Sequence, residues 1–196
     1  MTVIKDGTGN GFLARVNNIN LLEVHSINVD EYVYESVHDG DSFRILGTTP
    51  IAAASEKTVL IVINNSDNLI GIDRITTSIQ GESGKPVNIR IYLGYAVVTA
   101  GGSVANLINV NTTSSNTLTL TGTQNNPTIG GTDSKILDVY LESTSIDREL
   151  VNGGIVLGKS GSIRVTCQGA AGAAGTMNCN TSILIWTIEK TFYGLA

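Results

Sequence analysis

Charge is scarce in this chain. Asp, Glu, Lys and Arg make up 15% of its 196 residues, against about 25% in ordinary soluble proteins. The twelve Lys and Arg are scattered singly and the net charge is −5. A nucleic-acid binder carries a basic patch or stripe, so no nucleic-acid partner is expected. Apolar runs are short, and none approaches the roughly 18 residues of a membrane-spanning helix; no membrane partner is expected. The opening residues lack the charged and apolar regions of a secretory signal, which points to a chain made and kept in a cytoplasm.

Cysteine is nearly missing too. Cys167 and Cys179 form no CxxC, and His25 and His38 lie far from them in sequence. A zinc site needs more ligands at closer spacing, so neither a metal nor a cofactor is expected. The two thiols read as small buried hydrophobes, with a disulfide across neighbouring strands as the alternative in an oxidising compartment. Helix-forming periodicity is absent throughout, and aromatics are only 5%.

What is present is alternation, the mark of half-buried strands. "KTVLIVI" sets Val59, Ile61 and Ile63 against Leu60 and Val62. "VNIRIYLGY" sets Ile89, Ile91 and Leu93 against Asn88, Arg90 and Tyr92. "TLTLT" (117–121) alternates without a break, and "SIRVTC" sets Ile163, Val165 and Cys167 against Arg164 and Thr166. "SILIWTIEKTFY" (182–193) reads as a strand buried on both faces, with Trp186 in the core. Further strands are expected at 12–16, 20–29, 42–47, 69–80, 104–110, 135–143 and 149–157. Gly, Asn, Asp and Ser punctuate them. The expected fold is all-β: a sandwich or jelly roll of eleven to twelve short strands with long Gly/Asn/Thr-rich loops. "QGAAGAAG" (168–175) is an expected loop, and residues 111–132 are expected to form a long loop or a hairpin excursion.

Several stretches imitate functional sites. "DGTGNG" (6–11) lacks the GKS or GKT ending of a P-loop and has the wrong glycine spacing for a dinucleotide fingerprint; both would also need a helix to follow. "FLARV" follows, a strand, so the glycines read as a tight turn. "NNIN" then supplies a second turn, and 6–29 reads as a hairpin. "HDGD" (38–41), with Asp30, Glu31 and Glu35, is the densest acidic cluster, yet lacks a complete calcium loop and suits a turn. Asp138 with Glu142, or Asp147 with Glu149, could flank a glycosidic bond, but both pairs equally fit solvent faces of strands. No catalytic residues are nominated and no enzyme activity is expected.

The charge map is less ordinary. Residues 91–132 contain no charged side chain but nineteen Ser, Thr, Asn and Gln; 165–188 are also uncharged. A neutral surface of hydroxyls and amides suits contact with another chain, because it avoids the desolvation penalty of buried ions.

"IKDGTGNGFLARVNNINLLEVHSINV" (4–29) resembles the opening of a group of tailed-bacteriophage virion proteins, in which a D-G-T-G-x-G turn precedes an alternating strand, an N-x-L step and a second strand. "TVLIVINNSDNLIGIDRI" (58–75) is similar to their next recurring element, a strand carrying "NN" that leads into another strand. The resemblance implies a virion structural protein, most plainly a capsid decoration or auxiliary head protein acting by protein–protein contact. Its partners would be the major capsid protein or other virion proteins and sister copies, with a trimer favoured. It would sit in the virion after assembly in the bacterial cytoplasm. Residues 1–29 would be an anchoring arm and 30–196 the sandwich. Interface candidates are Gly7, Gly9, Gly11, Phe12, Leu13, Leu21, Leu22 and Val24 in the hairpin, and Leu107, Ile108 and Val110 in the uncharged stretch. The alternatives are a tail, baseplate or fibre-associated protein and, from another class, a module binding host carbohydrate.

Overall fold

The computed structural model describes residues 3–5, 11–13, 15–16, 22–23, 40–51, 55–80, 86–141, 148–170 and 177–188. The chain divides into two units, Met1–Asp30 and Glu31–Ala196. In the first, β1 (Val3–Lys5) pairs antiparallel with β2 (Gly11–Leu13), and β3 (Arg15–Val16) with β4 (Leu22–Glu23). The "DGTGNG" stretch thus joins two antiparallel strands, of which β1 is one that alternation alone does not reveal. Where one hairpin is expected over 6–29, two short ladders are found.

The second unit is a two-sheet sandwich, with no helix among its described residues. Its strands are β5 (Ser42–Ile51), β6 (Lys57–Asn64), β7 (Leu69–Gln80), β8 (Val87–Ala100), β9 (Ser103–Val104), β10 (Leu107–Asn109), β11 (Leu120–Gln124), β12 (Thr128–Leu141), β13 (Arg148–Leu157), β14 (Ser162–Gly169) and β15 (Met177–Ile188). One sheet has the order β10-β5-β15-β7-β13, the other β12-β8-β14-β6-β11-β9, and every pairing is antiparallel. Several strands are longer than expected, β8 and β12 reaching 14 residues each.

The core lies between the sheets. Phe43, Ile45, Ile72, Ile75, Ile79, Ile183 and Ile185 meet Leu60, Val62, Ile89, Ile91, Ile163 and Val165. Its Ile and Val content suits strands, because β-branched side chains are stiff and pack well on a pleated surface. The threonines buried among them are bonded rather than stranded: Thr77 and Thr181 hydroxyls lie 3.2 Å apart, and Thr49 Oγ1 donates to Thr58 O at 3.1 Å.

Asn64 ties two sheet-crossing turns together. Fully buried, it donates from Nδ2 to Asn68 O (2.8 Å) and Leu157 O (3.0 Å), and its Oδ1 accepts from Ser66 N–H (2.9 Å). Its backbone N–H donates to Gly161 O and its carbonyl accepts from Ser160 N–H. The "NN" of the 58–75 element is therefore a sheet-joining corner.

Two expectations for the uncharged stretch shift. The "TLTLT" strand moves three residues on, to 120–124, because residues 109–116 form Asn and Ser side-chain turns: Asn109 and Asn111 Oδ1 accept from N–H groups two residues on, as does Ser114 Oγ. The strand expected at 104–110 splits. β9 pairs with β11 of the larger sheet and β10 with β5 of the smaller, so this segment crosses from sheet to sheet.

Candidate interaction surfaces

Both outer sheet faces are polar, and the ladder registers place their side chains in rows. On the smaller sheet the rows are Thr48–Asn180–Ser78, Leu46–Ser182–Thr76–Glu149 and Ile108–Arg44–Leu184–Arg74–Asn152. Their central members, among them Arg44, Thr48, Arg74, Thr76 and Asn180, line an open recess of about 630 Å3. Thr48 Oγ1 donates to Asn180 Oδ1 at 2.8 Å, and Thr48 N–H to Gln124 Oε1 at 2.9 Å. Arg74 meets Glu149 at 3.2 Å, both well exposed, so this pair adds little stability.

The larger sheet carries three outer rows: Tyr140–Asn88–Gln168, Asp138–Arg90–Thr166–Thr58, and Lys135–Tyr92–Arg164–Ile61–Thr123–Val104. Glu56 is the hub of an ion network there. Its Oε1 accepts from Thr166 Oγ1 (2.6 Å) and Tyr92 Oη (2.9 Å), and its Oε2 from Arg90 Nη1 (2.7 Å). Arg90 also reaches Gln168 Oε1 (2.9 Å) and Asp138 Oδ2 (3.4 Å), which Lys135 Nζ approaches to 2.6 Å. Burial alone pushes the Glu56 carboxyl up. The bonds from Thr166 and Tyr92, with the guanidiniums of Arg90 and Arg164, outweigh it and hold the group below the usual glutamate value. Both Glu56 oxygens are thus bonded, and the network acts as a clamp that ties β8 and β14 together and, through Arg90 and Asp138, reaches β12.

The uncharged stretch builds a third surface. β8 and β12 continue together beyond the start of β14, where Ser162 pairs with both Gly94 and Ile63 at the far end of β6. Yet the other end of this ribbon, where Ala100 pairs with Thr128, lies by the opposite end of β6: Asn126 N–H donates to Thr58 O at 2.8 Å. The ribbon (95–100 with 128–132) must therefore double back. The inner face is filled by the other sheet, so it returns over the outer one. This accounts for Ile61, which sits in an outer row yet has no exposed surface, and for Ala96, buried outside the main core.

Glycines permit the bend. A Cβ on Gly94 would come within 2.4 Å of Thr132 O, and Gly131 has a φ of 80° with Tyr95 O equally close. Arg164 anchors it: Nε and Nη2 donate to the two Asp133 oxygens at 2.7 and 3.0 Å, while the guanidinium stacks 4.1 Å above the Tyr92 ring. The ribbon's outward side shows Tyr95 (66% exposed) and Val97 (48%).

Of the interface candidates, Ile108 and Val110 are exposed, whereas Leu107 is half-buried against the core. Gly11, Phe12 and Leu13 form β2 and Leu22 lies in β4; Gly7, Gly9, Leu21 and Val24 lie outside the described residues. So do Glu142, Asp147, His38, Asp39 and 171–176. Asp138 and Glu149, the remaining halves of the nominated carboxylate pairs, are held in ion pairs. Trp186 is half-buried and packs over Gly71, where a Cβ would strike the indole at 2.5 Å. Sequence reasoning missed the Glu56 network, whose members come from distant segments. Alternation put Arg90, Tyr92, Arg164 and Thr166 on outer faces, but only strand order makes them neighbours. Searches against family models, curated proteins and solved structures find no match to this chain.

Proposed function

We propose that this chain is a structural component of a tailed-phage virion, a capsid decoration or auxiliary head protein that stabilises the shell as a symmetric homo-oligomer, most simply a trimer at a local threefold axis. The observation that carries the reading is the folded-back ribbon. Its outward side presents Tyr95 and Val97 in a stretch of 42 residues without charge, the composition of a surface that desolvates cheaply against another chain. The sandwich beneath it is clamped by the Glu56 and Arg164 networks, so the surface is presented on a rigid support. The likeness of 4–29 and 58–75 to virion proteins supplies the setting.

Contact through sheet faces also fits the long edges. β12 is bulged at Ile136, and β13 at two places, Leu150 and 153–154. Bulges hinder open-ended strand addition. The test is reconstitution: the purified chain is added to particles assembled without it. Binding saturates at a copy number fixed by the shell lattice. Val97→Asp abolishes it while circular dichroism stays unchanged, and Glu149→Gln, on the opposite sheet, leaves it intact. Undiminished binding by Val97→Asp rejects the ribbon as the contact; failure of the unaltered chain to bind rejects the virion reading.

A further inference from the structure

A small cleft of about 270 Å3 opens on the outer face of the larger sheet, its lining including Pro86, Asn88, Arg90, Tyr140 and Gln168. We propose that it is a binding subsite for a single neutral pyranose ring. Four observations lead there, none of which depends on the virion reading.

The first is an orphan. Asn88 is 6% exposed, and its Oδ1 is shielded from solvent with no hydrogen-bond partner. Leaving such a buried acceptor unsatisfied is unfavourable. The Asp138 carboxylate, in the neighbouring row of the same sheet face, can only accept and so offers this oxygen nothing. What Asn88 lacks is a donor, which a sugar hydroxyl supplies.

The second is the aromatic. Tyr140 stands directly opposite Asn88 in the ladder and is 69% exposed, the most exposed aromatic residue among those described. A ring so exposed is a platform for the C–H face of a sugar. The third is rigidity. Arg90 is held by Glu56 Oε2, Gln168 Oε1 and Asp138 Oδ2, so the polar floor is set before a ligand arrives, which lowers the cost of binding. The fourth is size and charge. The volume is below that of pockets for drug-sized ligands and suits one ring. Arg90 is already matched by Glu56 and Asp138, which leaves no surplus positive charge for an anionic ligand.

The test is a titration of the full chain, labelled with 15N, with D-glucose, D-galactose, D-mannose and N-acetyl-D-glucosamine, each to about 100 mM, where a site of millimolar affinity is saturated. At least one of them shifts the Asn88 side-chain amide and the residues flanking Tyr140 saturably. Tyr140→Ala weakens that binding about tenfold or more with the remaining spectrum intact, whereas Tyr95→Ala, on the ribbon, does not. Four sugars without saturable shifts at these signals overturn the proposal. So does equal affinity of the Tyr140→Ala chain, or shifts confined to residues away from the cleft.

Discussion

Glu56 shows how single side chains hold the larger sheet. Its carboxylate collects donors from two strands and pairs a guanidinium, and bonds to a charged group of this kind are worth about 1.5–3 kcal/mol each. Shared among partly exposed partners, the net effect of Glu56→Ala is a loss of about 2 kcal/mol, read from urea unfolding at neutral pH. The pH dependence follows from the depressed titration of Glu56. A carboxyl that titrates lower in the folded chain stabilises it at pH values above about 4.5, and that contribution disappears as pH falls through the folded value. Asp138, held down first by its bond from Lys135, acts in the same direction below about 3.8. The urea midpoint therefore drops between pH 5 and pH 3 (a range set by these two groups), and Glu56→Gln flattens the upper part of that drop. A midpoint independent of pH there contradicts the clamp. The thiols give a second residue-scale prediction. Cys167 and Cys179 are free, buried thiols, and the nearby Cys167 thiol, then burial, pushes the Cys179 thiol well above its ordinary value. Ellman's reagent finds no reactive thiol in the folded chain and both in urea; rapid labelling of the native chain contradicts the packing.

At the scale of elements, the folded-back ribbon is the feature that sequence reading only half disclosed. The absence of charge from 91 to 132 was legible, and so was the alternation of Asn88, Arg90 and Tyr92 against Ile89, Ile91 and Leu93. The bend was not, because it depends on which backbone faces Gly94 and Gly131. Gly131→Ala places a Cβ at a φ of 80° against Tyr95 O; it costs about 1–2 kcal/mol from the left-handed conformation alone, and more from the clash. Asp133→Asn removes the charge that Arg164 grips at two points and costs about 2–3 kcal/mol. In both variants hydrogen exchange quickens first in 95–100 and 128–132, while β7 and β15 stay protected; uniform acceleration contradicts a ribbon that opens separately. Asn64 teaches the converse. "NN" was visible as part of a resemblance, but its work as a corner between two turns needed Leu157 and Gly161, almost a hundred residues away.

For the whole molecule, the all-β class and most strand positions could be read because alternation is a local signal that survives without knowledge of partners. β7 was legible to its ends, since turn residues bound it on both sides. Strand order, the crossing of 103–109 between sheets and the assembly of Glu56, Arg90, Tyr92 and Thr166 were not, because register is set by long-range packing. The surfaces follow from that packing: a hydroxyl and amide grid on one sheet, a clamped ion network and a returning ribbon on the other. The proposed virion role is tested most directly by imaging phage particles assembled in the presence of this chain. The account predicts lattice-ordered density that fits the two sheets formed by β5 to β15, with Tyr95 and Val97 buried against a neighbouring chain. A particle map with every density assigned to other chains, or one in which the ribbon faces solvent, would contradict it.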